Sequence, residues 1–201
     1  MTGIKLCGLT RQEDIDYVNR LLPDYIGFVF FEKSRRNVMF ETAKTLKMRL
    51  DPRIKAVGVF VDADISFIGK LARAGVIDLV QLHGNEDEAY IASLRKETQV
   101  PLIKAFKVES ADDIARANAS SADYVLLDSG MGSGRPFDWT MIAGMRRDFF
   151  LAGGISPDNA AEAIARCRPF AVDVSTMIET DGVKDYEKMK AFAMAVRGSR
   201  L

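Results

Sequence analysis

Little in this sequence points toward disulfides, metal, nucleic acid or membrane. There are two cysteines in 201 residues, Cys7 and Cys167, far apart in the chain. A small secreted domain stapled by disulfides carries several closely spaced pairs, so a reduced, cytoplasmic setting fits better. There is one histidine, His83, and no second histidine or cysteine at ligand spacing, so no metal site is expected. The charges cancel, with 28 basic and 28 acidic residues, and nothing in that balance favours a nucleic-acid or anionic-membrane partner. No apolar run reaches the roughly 18 residues of a membrane span. Residues 1–6 lack a secretion-signal pattern, because a strand-like run begins almost at once. Linkers and low-complexity tracts are missing as well, which leaves one globular domain over residues 1–201, large enough to bury its own core.

What is present is a regular alternation. Short, nearly continuous apolar runs at 4–7, 25–30, 55–60, 79–82, 102–106, 124–128, 149–152 and 171–174 read as parallel strands covered on both faces. Helical patterns at 11–21, 41–50, 65–74, 87–97, 111–118, 157–166 and 186–197 lie between and after them. Asp64, Ser110 and Ser156 are expected N-caps, with Pro157 at a first helical position. The interval 128–149 is the exception, holding a glycine-rich loop and one weak helix near Trp139. Eight strands and about seven helices predict an α/β fold, a single (β/α)8 TIM barrel with a degenerate helical region after one central strand. An open doubly wound sheet is the alternative, weakened by the lack of a G-x-G-x-x-G after the first run.

Parity sharpens this. Side chains alternate across a strand, so Lys5 shares a face with Cys7, Gln81 with His83, and Asp173 with Ser175. Polar residues within apolar strands are expected to face the barrel lumen, where they can pair. Strands 1 and 8 are neighbours in a closed barrel, which predicts a Lys5–Asp173 pair beneath Cys7.

Chemistry in such barrels gathers at the carboxyl ends of the strands. Cys7 ends the first, where it reads either as a small buried hydrophobe or as a thiolate base with a lysine beside it. Cys167, at a helix end, reads as structural. Arg36, in Ser34-Arg35-Arg36-Asn37, is either a solvated basic residue or a two-point grip on a carboxylate or phosphate. His83 ends the fourth strand in Gln81-Leu82-His83-Gly84. Asp128 ends the sixth and is followed by Gly130, Gly132 and Gly134, whose bare N–H groups can approach an anion. Gly153 and Gly154 follow the seventh strand; Ser175 and Thr176 follow the eighth. Phosphate often binds between those two loops and a short extra helix. The set therefore predicts a phosphorylated small-molecule substrate.

With these residues in place the sequence resembles the phosphoribosylanthranilate isomerases, barrel enzymes of tryptophan biosynthesis. The resemblance runs the length of the chain through Lys5-Leu6-Cys7-Gly8-Leu9-Thr10, Tyr25-Ile26-Gly27-Phe28-Val29-Phe30, Ser34 and Arg36, Val80-Gln81-Leu82-His83-Gly84, Leu127-Asp128, Gly132-Ser133-Gly134, Phe137-Asp138-Trp139, Leu151-Ala152-Gly153-Gly154 and Asp173-Val174-Ser175. It implies an Amadori rearrangement with Asp128 as acid and Cys7 as base, their pKa values pushed apart: Asp128 up and Cys7 down. Arg36 would hold the anthranilate carboxylate; His83, Gly132, Gly134, Gly153, Gly154, Ser175 and Thr176 would contact substrate. No metal or organic cofactor is implied, and the chain is expected to be a monomer or homodimer. Residues 129–135 would form a cover. Two departures stand out: the family usually has glycine where this chain has Met177, and proline where it has Arg35. Methionine would be strained if that position needs a positive φ, and arginine for proline would loosen the aim of Arg36. Other readings are an isomerase of a different phosphorylated sugar and a non-catalytic phosphate-binding barrel.

Overall fold

The computed structural model describes residues 1–128 and 139–198. Every apolar run forms a strand: β1 (Gly3–Cys7), β2 (Tyr25–Phe30), β3 (Lys55–Phe60), β4 (Leu79–Leu82), β5 (Leu102–Lys107), β6 (Tyr124–Asp128), β7 (Phe149–Ala152) and β8 (Ala171–Val174). They pair in parallel in chain order, and β8 pairs back onto β1 to close the barrel, which rules out the open sheet. Around it pack α1 (Gln12–Leu21), α2 (Phe40–Arg49), α3 (Ile65–Arg73), α4 (Glu88–Glu97), α5 (Ala111–Ala119), α6 (Ala160–Cys167) and α7 (Tyr186–Gly198). Between β6 and β7 the described residues hold only a 3-10 helix, Trp139–Gly144, matching the expected degenerate region.

Local chemistry sets the helix starts. Asp64 and Asp87 accept from the N–H groups of Ser66 and Tyr90 at 2.7 and 2.8 Å. At the start of α5 Asp113 reaches back to accept from both the N–H and the hydroxyl of Ser110. Ser156 and Pro157 behave differently from expectation. Residues 157–159 form a turn and the helix begins at Ala160. Asn159 explains the delay: its side chain accepts from Ser156 N–H and donates to Gly154 C=O, which closes the turn ahead of the helix.

The core has two layers. One lies between sheet and helices; the other fills the lumen with Val57, Val59, Leu79, Ile103, Leu126 and Phe150, among others. At the amino-terminal end Tyr25, Tyr124, Phe150 and Phe170 pack ring on ring, with Tyr124–Phe170 centroids 5.0 Å apart and Tyr25–Phe150 centroids 5.4 Å apart. Among the described residues this aromatic plug closes the lumen at its amino-terminal end.

Above the plug sits the expected ion pair. Lys5 and Asp173 are register partners, and Lys5 Nζ donates to Asp173 Oδ2 at 2.8 Å with the lysine fully buried. Burial alone would lower the lysine pKa, but the Asp173 and Cys7 charges outweigh it and the net shift is upward. Removing one partner of a buried pair typically costs roughly 3–5 kcal/mol, because the other charge is left without compensation. The expectation that polar strand residues face the lumen fails at Lys104. Alternation itself holds, since luminal Ile103 and Ala105 flank it and leave Lys104 on the outer face, where it donates to buried Glu86 Oε2 and to Gly84 C=O, both at 2.8 Å. A carboxylate waiting in the helix layer makes that direction affordable.

After β8 comes a 3-10 turn, Thr176–Ile178, and then an antiparallel hairpin, β9 (Glu179–Thr180) and β10 (Val183–Lys184). The two turn residues, Asp181 and Gly182, both have positive φ, 51° and 81°, as a two-residue type I′ hairpin requires.

Candidate active site

The carboxyl ends of the strands enclose a cavity of about 330 Å³. Its wall includes Cys7, Arg36, His83, Asp128, Gly153, Gly154, Ser175 and Thr176, so the expected residues that fall within the described segments converge on one space. Gly132 and Gly134, and the expected cover at 129–135, lie outside the described residues.

Cys7 ends β1 and is 8% exposed. Its position depends on Gly27, the register partner on β2, because a Cβ there would fall 2.5 Å from Cys7 Sγ. Burial pushes the thiol upward; Lys5 and Lys184 pull against it while Asp173 adds to it, and the net is a raised pKa. This reverses the expected lowering. The buried site strengthens the pull of Lys5, but loss of the thiolate's hydration is the larger effect and Asp173 offsets the lysine charge. Cys167, half-buried in the helix layer, is pushed up to about 11 by burial and keeps its structural reading.

Titration of the thiol tests this balance. In Cys167→Ser protein, thiolate absorbance from Cys7 should titrate above the ordinary value of roughly 8.5. In Cys167→Ser carrying Lys5→Met, the loss of the lowering cation should move the midpoint higher still. A midpoint below the ordinary value, or a downward shift in the second variant, would contradict the assignment of burial as the dominant cause.

Asp128 closes β6 with its side chain 20% exposed, and its Oδ2 lies 3.5 Å from His83 Nε2. Gln81, on the same face of β4, donates from Nε2 to His83 Nδ1 at 2.8 Å. In that amide orientation the imidazole proton sits on Nε2 and faces Asp128. Gln81 is thus a site residue that sequence reading reached only through parity.

Gly153 and Gly154 have φ of 79° and 69°, conformations that side chains resist, and they turn the chain out of β7 across the cavity. Ser175 donates its hydroxyl to Cys7 C=O at 3.1 Å, tying the loop after β8 to the end of β1. Thr176 Oγ1 accepts from Arg36 Nη2 at 3.2 Å. Met177 lies in the 3-10 turn, is 48% exposed and is not among the positive-φ residues, so the expected strain does not arise.

Arg36 reaches the cavity from the loop after β2, its side chain 16% exposed. It crosses Gly8 at the end of β1, where φ is 81° and an added Cβ would collide with Arg36 Cδ. Its fork already grips a carboxylate: Nε and Nη2 donate to Glu179 Oε1 and Oε2 at 2.6 and 2.8 Å. Arg35 joins the same carboxylate, Nη2 to Oε2 at 2.9 Å. In place of the looser aim expected from losing proline, the arginine supplies an extra tether. Glu179 and Lys184 were not singled out from sequence, although Thr180-Asp181-Gly182-Val183 is a hairpin signature that sets them opposite each other.

A larger groove of about 560 Å³ lies outside the barrel over Lys104 and Arg116. Its main cations are paired, Lys104 with Glu86 and Arg116 with Asp113, so it lacks the convergence of reactive groups found at the strand ends.

The comparisons with known proteins agree with this geometry. The family model described as N-(5'phosphoribosyl)anthranilate (PRA) isomerase matches residues 4–195. The chain is similar to the N-(5'-phosphoribosyl)anthranilate isomerase of Endomicrobium trichonymphae, 45% identical over 194 residues, covering 94% of this chain and 95% of the relative. Among solved structures it is similar to phosphoribosyl anthranilate isomerase from Thermotoga maritima, with TM-score 0.88, 34% identity and coverage of 98% and 100%. A phosphoribosyl anthranilate isomerase solved with reduced 1-(o-carboxyphenylamino)-1-deoxyribulose 5-phosphate matches with TM-score 0.85 and 33% identity, covering 98% of this chain and 100% of the other.

Proposed function

The chain belongs to the N-(5'-phosphoribosyl)anthranilate isomerase family, and from that membership we propose how its own residues carry out the family's reaction. The enzyme converts N-(5'-phosphoribosyl)anthranilate to 1-(2-carboxyphenylamino)-1-deoxyribulose 5-phosphate in tryptophan biosynthesis. Asp128 gives a proton to the furanose ring oxygen as the bond from that oxygen to C1 breaks. The nitrogen lone pair forms the C1 iminium. Cys7 then removes the C2 proton, and the resulting enolamine becomes the ketone. The substrate nitrogen is the electron sink, so the chemistry requires neither a metal nor an organic cofactor.

The observation that carries this reading is convergence. The thiol on β1 and the carboxyl on β6 line one cavity, with β7 and β8 and their two positive-φ glycines between them. Acid and base can therefore approach the ring oxygen and C2, the two neighbours of C1, from opposite sides of a single sugar. Gly153, Gly154, Ser175 and Thr176 offer N–H groups for the phosphate. His83 faces Asp128 and the sugar. Gly132 and Gly134 are assigned to substrate contact by resemblance alone. Arg36 turns its remaining nitrogen, Nη1, to the anthranilate carboxylate. A thiol that must stay reduced to act as a base fits a cytoplasmic setting.

Binding of reduced 1-(o-carboxyphenylamino)-1-deoxyribulose 5-phosphate, followed calorimetrically, tests the substrate assignment. Saturable one-to-one binding is expected, and no heat at millimolar ligand with folded protein would reject it. Two substitutions probe the geometry. Arg36→Ala should raise KM with kcat changed far less, the pattern of lost ground-state binding; an unchanged KM would remove Arg36 from the carboxylate. Gly27→Ala should lower kcat about 10²-fold by displacing the thiol, with the fold intact by circular dichroism. Normal kcat in that variant would show that the position of Cys7 is not critical.

A further inference from the structure

Glu179 is a carboxylate with its side chain 4% exposed, held by three cations at once. Arg36 meets it through the two parallel bonds already described, Arg35 adds a third, and Lys184 Nζ donates to Oε1 at 2.7 Å. Nothing in the proposed chemistry uses Glu179. Its effect falls on Arg36.

A guanidinium is planar and offers two forked edges, Nε with Nη2 and Nη2 with Nη1. Glu179 takes the first edge completely. Thr176 takes the second hydrogen of Nη2. Nη1 makes no hydrogen bond among the described residues, and Arg36 lines the cavity. With Nε and Nη2 both fixed, the plane of the group is fixed, and so is the direction of Nη1. One carboxylate shared among three cations leaves the cluster net positive, with Arg36 its member on the cavity wall, suited to an anionic ligand.

We propose that Glu179 is a positioning residue, orienting Arg36 so that Nη1 faces the substrate carboxylate, with Arg35 and Lys184 holding Glu179 in turn. This rests on Arg36 being the carboxylate clamp. The fold is arranged for it. The type I′ turn at Asp181-Gly182 sets Glu179 and Lys184 as opposed partners on β9 and β10. Lys184 also donates to Ser175 C=O at 2.9 Å, which ties the hairpin to the loop after β8. Burial would raise the Glu179 pKa, but the hydrogen bonds and charges of Arg36 and Lys184 outweigh it, and the net shift is downward. Arg35 makes the arrangement a property of this chain, because a proline at that position would supply no donor.

The test is a double-substitution cycle on the full-length enzyme, read as KM and kcat for phosphoribosylanthranilate, with free anthranilate and inorganic phosphate as competing probes. Glu179→Gln should raise KM and the anthranilate inhibition constant about tenfold, with kcat changed less than about threefold and phosphate inhibition unaffected. Combined with Arg36→Ala it should add nothing further, because one residue acts through the other. Should Glu179→Gln fail to fold, Glu179→Asp, which keeps the charge but retracts it by one methylene, carries the same cycle. Additive effects on KM, an equal loss of phosphate binding, or an unchanged KM in the Glu179 variant while Arg36→Ala raises it would overturn the proposal. An unchanged KM in Arg36→Ala itself would instead remove the clamp reading, and this inference with it.

Discussion

Cys7→Ala is expected to lower kcat roughly 10³-fold, about 4 kcal/mol of barrier, with the product analogue still bound within a few-fold. The C2 proton of the opened substrate is acidic only while the iminium exists, so it must be removed by a base already in place. No other group described at the end of β1 suits that role: Lys5 is protonated and paired with Asp173, and the Ser175 hydroxyl is committed to Cys7 C=O. Cys7→Ser should be nearly as impaired, since a hydroxyl of similar size titrates far above a thiol. Because burial raises the thiol pKa, the thiolate is a minor species in the ligand-free enzyme at neutral pH, and a strong base once formed. Near-normal kcat in either variant, with a thiol-free site shown by titration, would remove Cys7 from the mechanism.

Asp128→Asn should cost a comparable factor, roughly 10²–10⁴ in kcat. The amide keeps the shape of the carboxyl and can still donate a weak hydrogen bond, but it has no proton to give to the ring oxygen. Ring opening then depends on water. The His83 contact at 3.5 Å survives in geometry but no longer joins an imidazole to an ionisable partner. The expected signature is loss of kcat with KM changed little, since the acid acts in the transition state rather than in binding. A variant that lost only binding would place Asp128 among the substrate contacts instead.

The barrel was legible because eight apolar runs are spaced by helix-length segments, down to four-residue strands such as Phe149–Ala152 and Ala171–Val174. Parity alone placed Lys5 against Asp173 and Gln81 beside His83, since closure makes β1 and β8 neighbours. Other features depended on tertiary surroundings. Lys104 can be buried on the outer face because Glu86, eighteen residues earlier, reaches into the helix layer to meet it. The direction of the Cys7 shift follows from burial, which no local pattern reports. Arg36 was found, but its partner was not, although Asp181-Gly182 between short β-forming pairs is a strong local signal for the hairpin that carries Glu179. Pro157 looked like a helix opener until Asn159 took its hydrogen bonds elsewhere.

The most direct measurement supplies freshly generated phosphoribosylanthranilate to the purified protein and follows its fluorescence. The expected result is a catalytic, protein-dependent loss of that signal, abolished to near background in Cys7→Ala and Asp128→Asn. Folded protein that binds the product analogue but leaves the fluorescence unchanged would contradict the assignment.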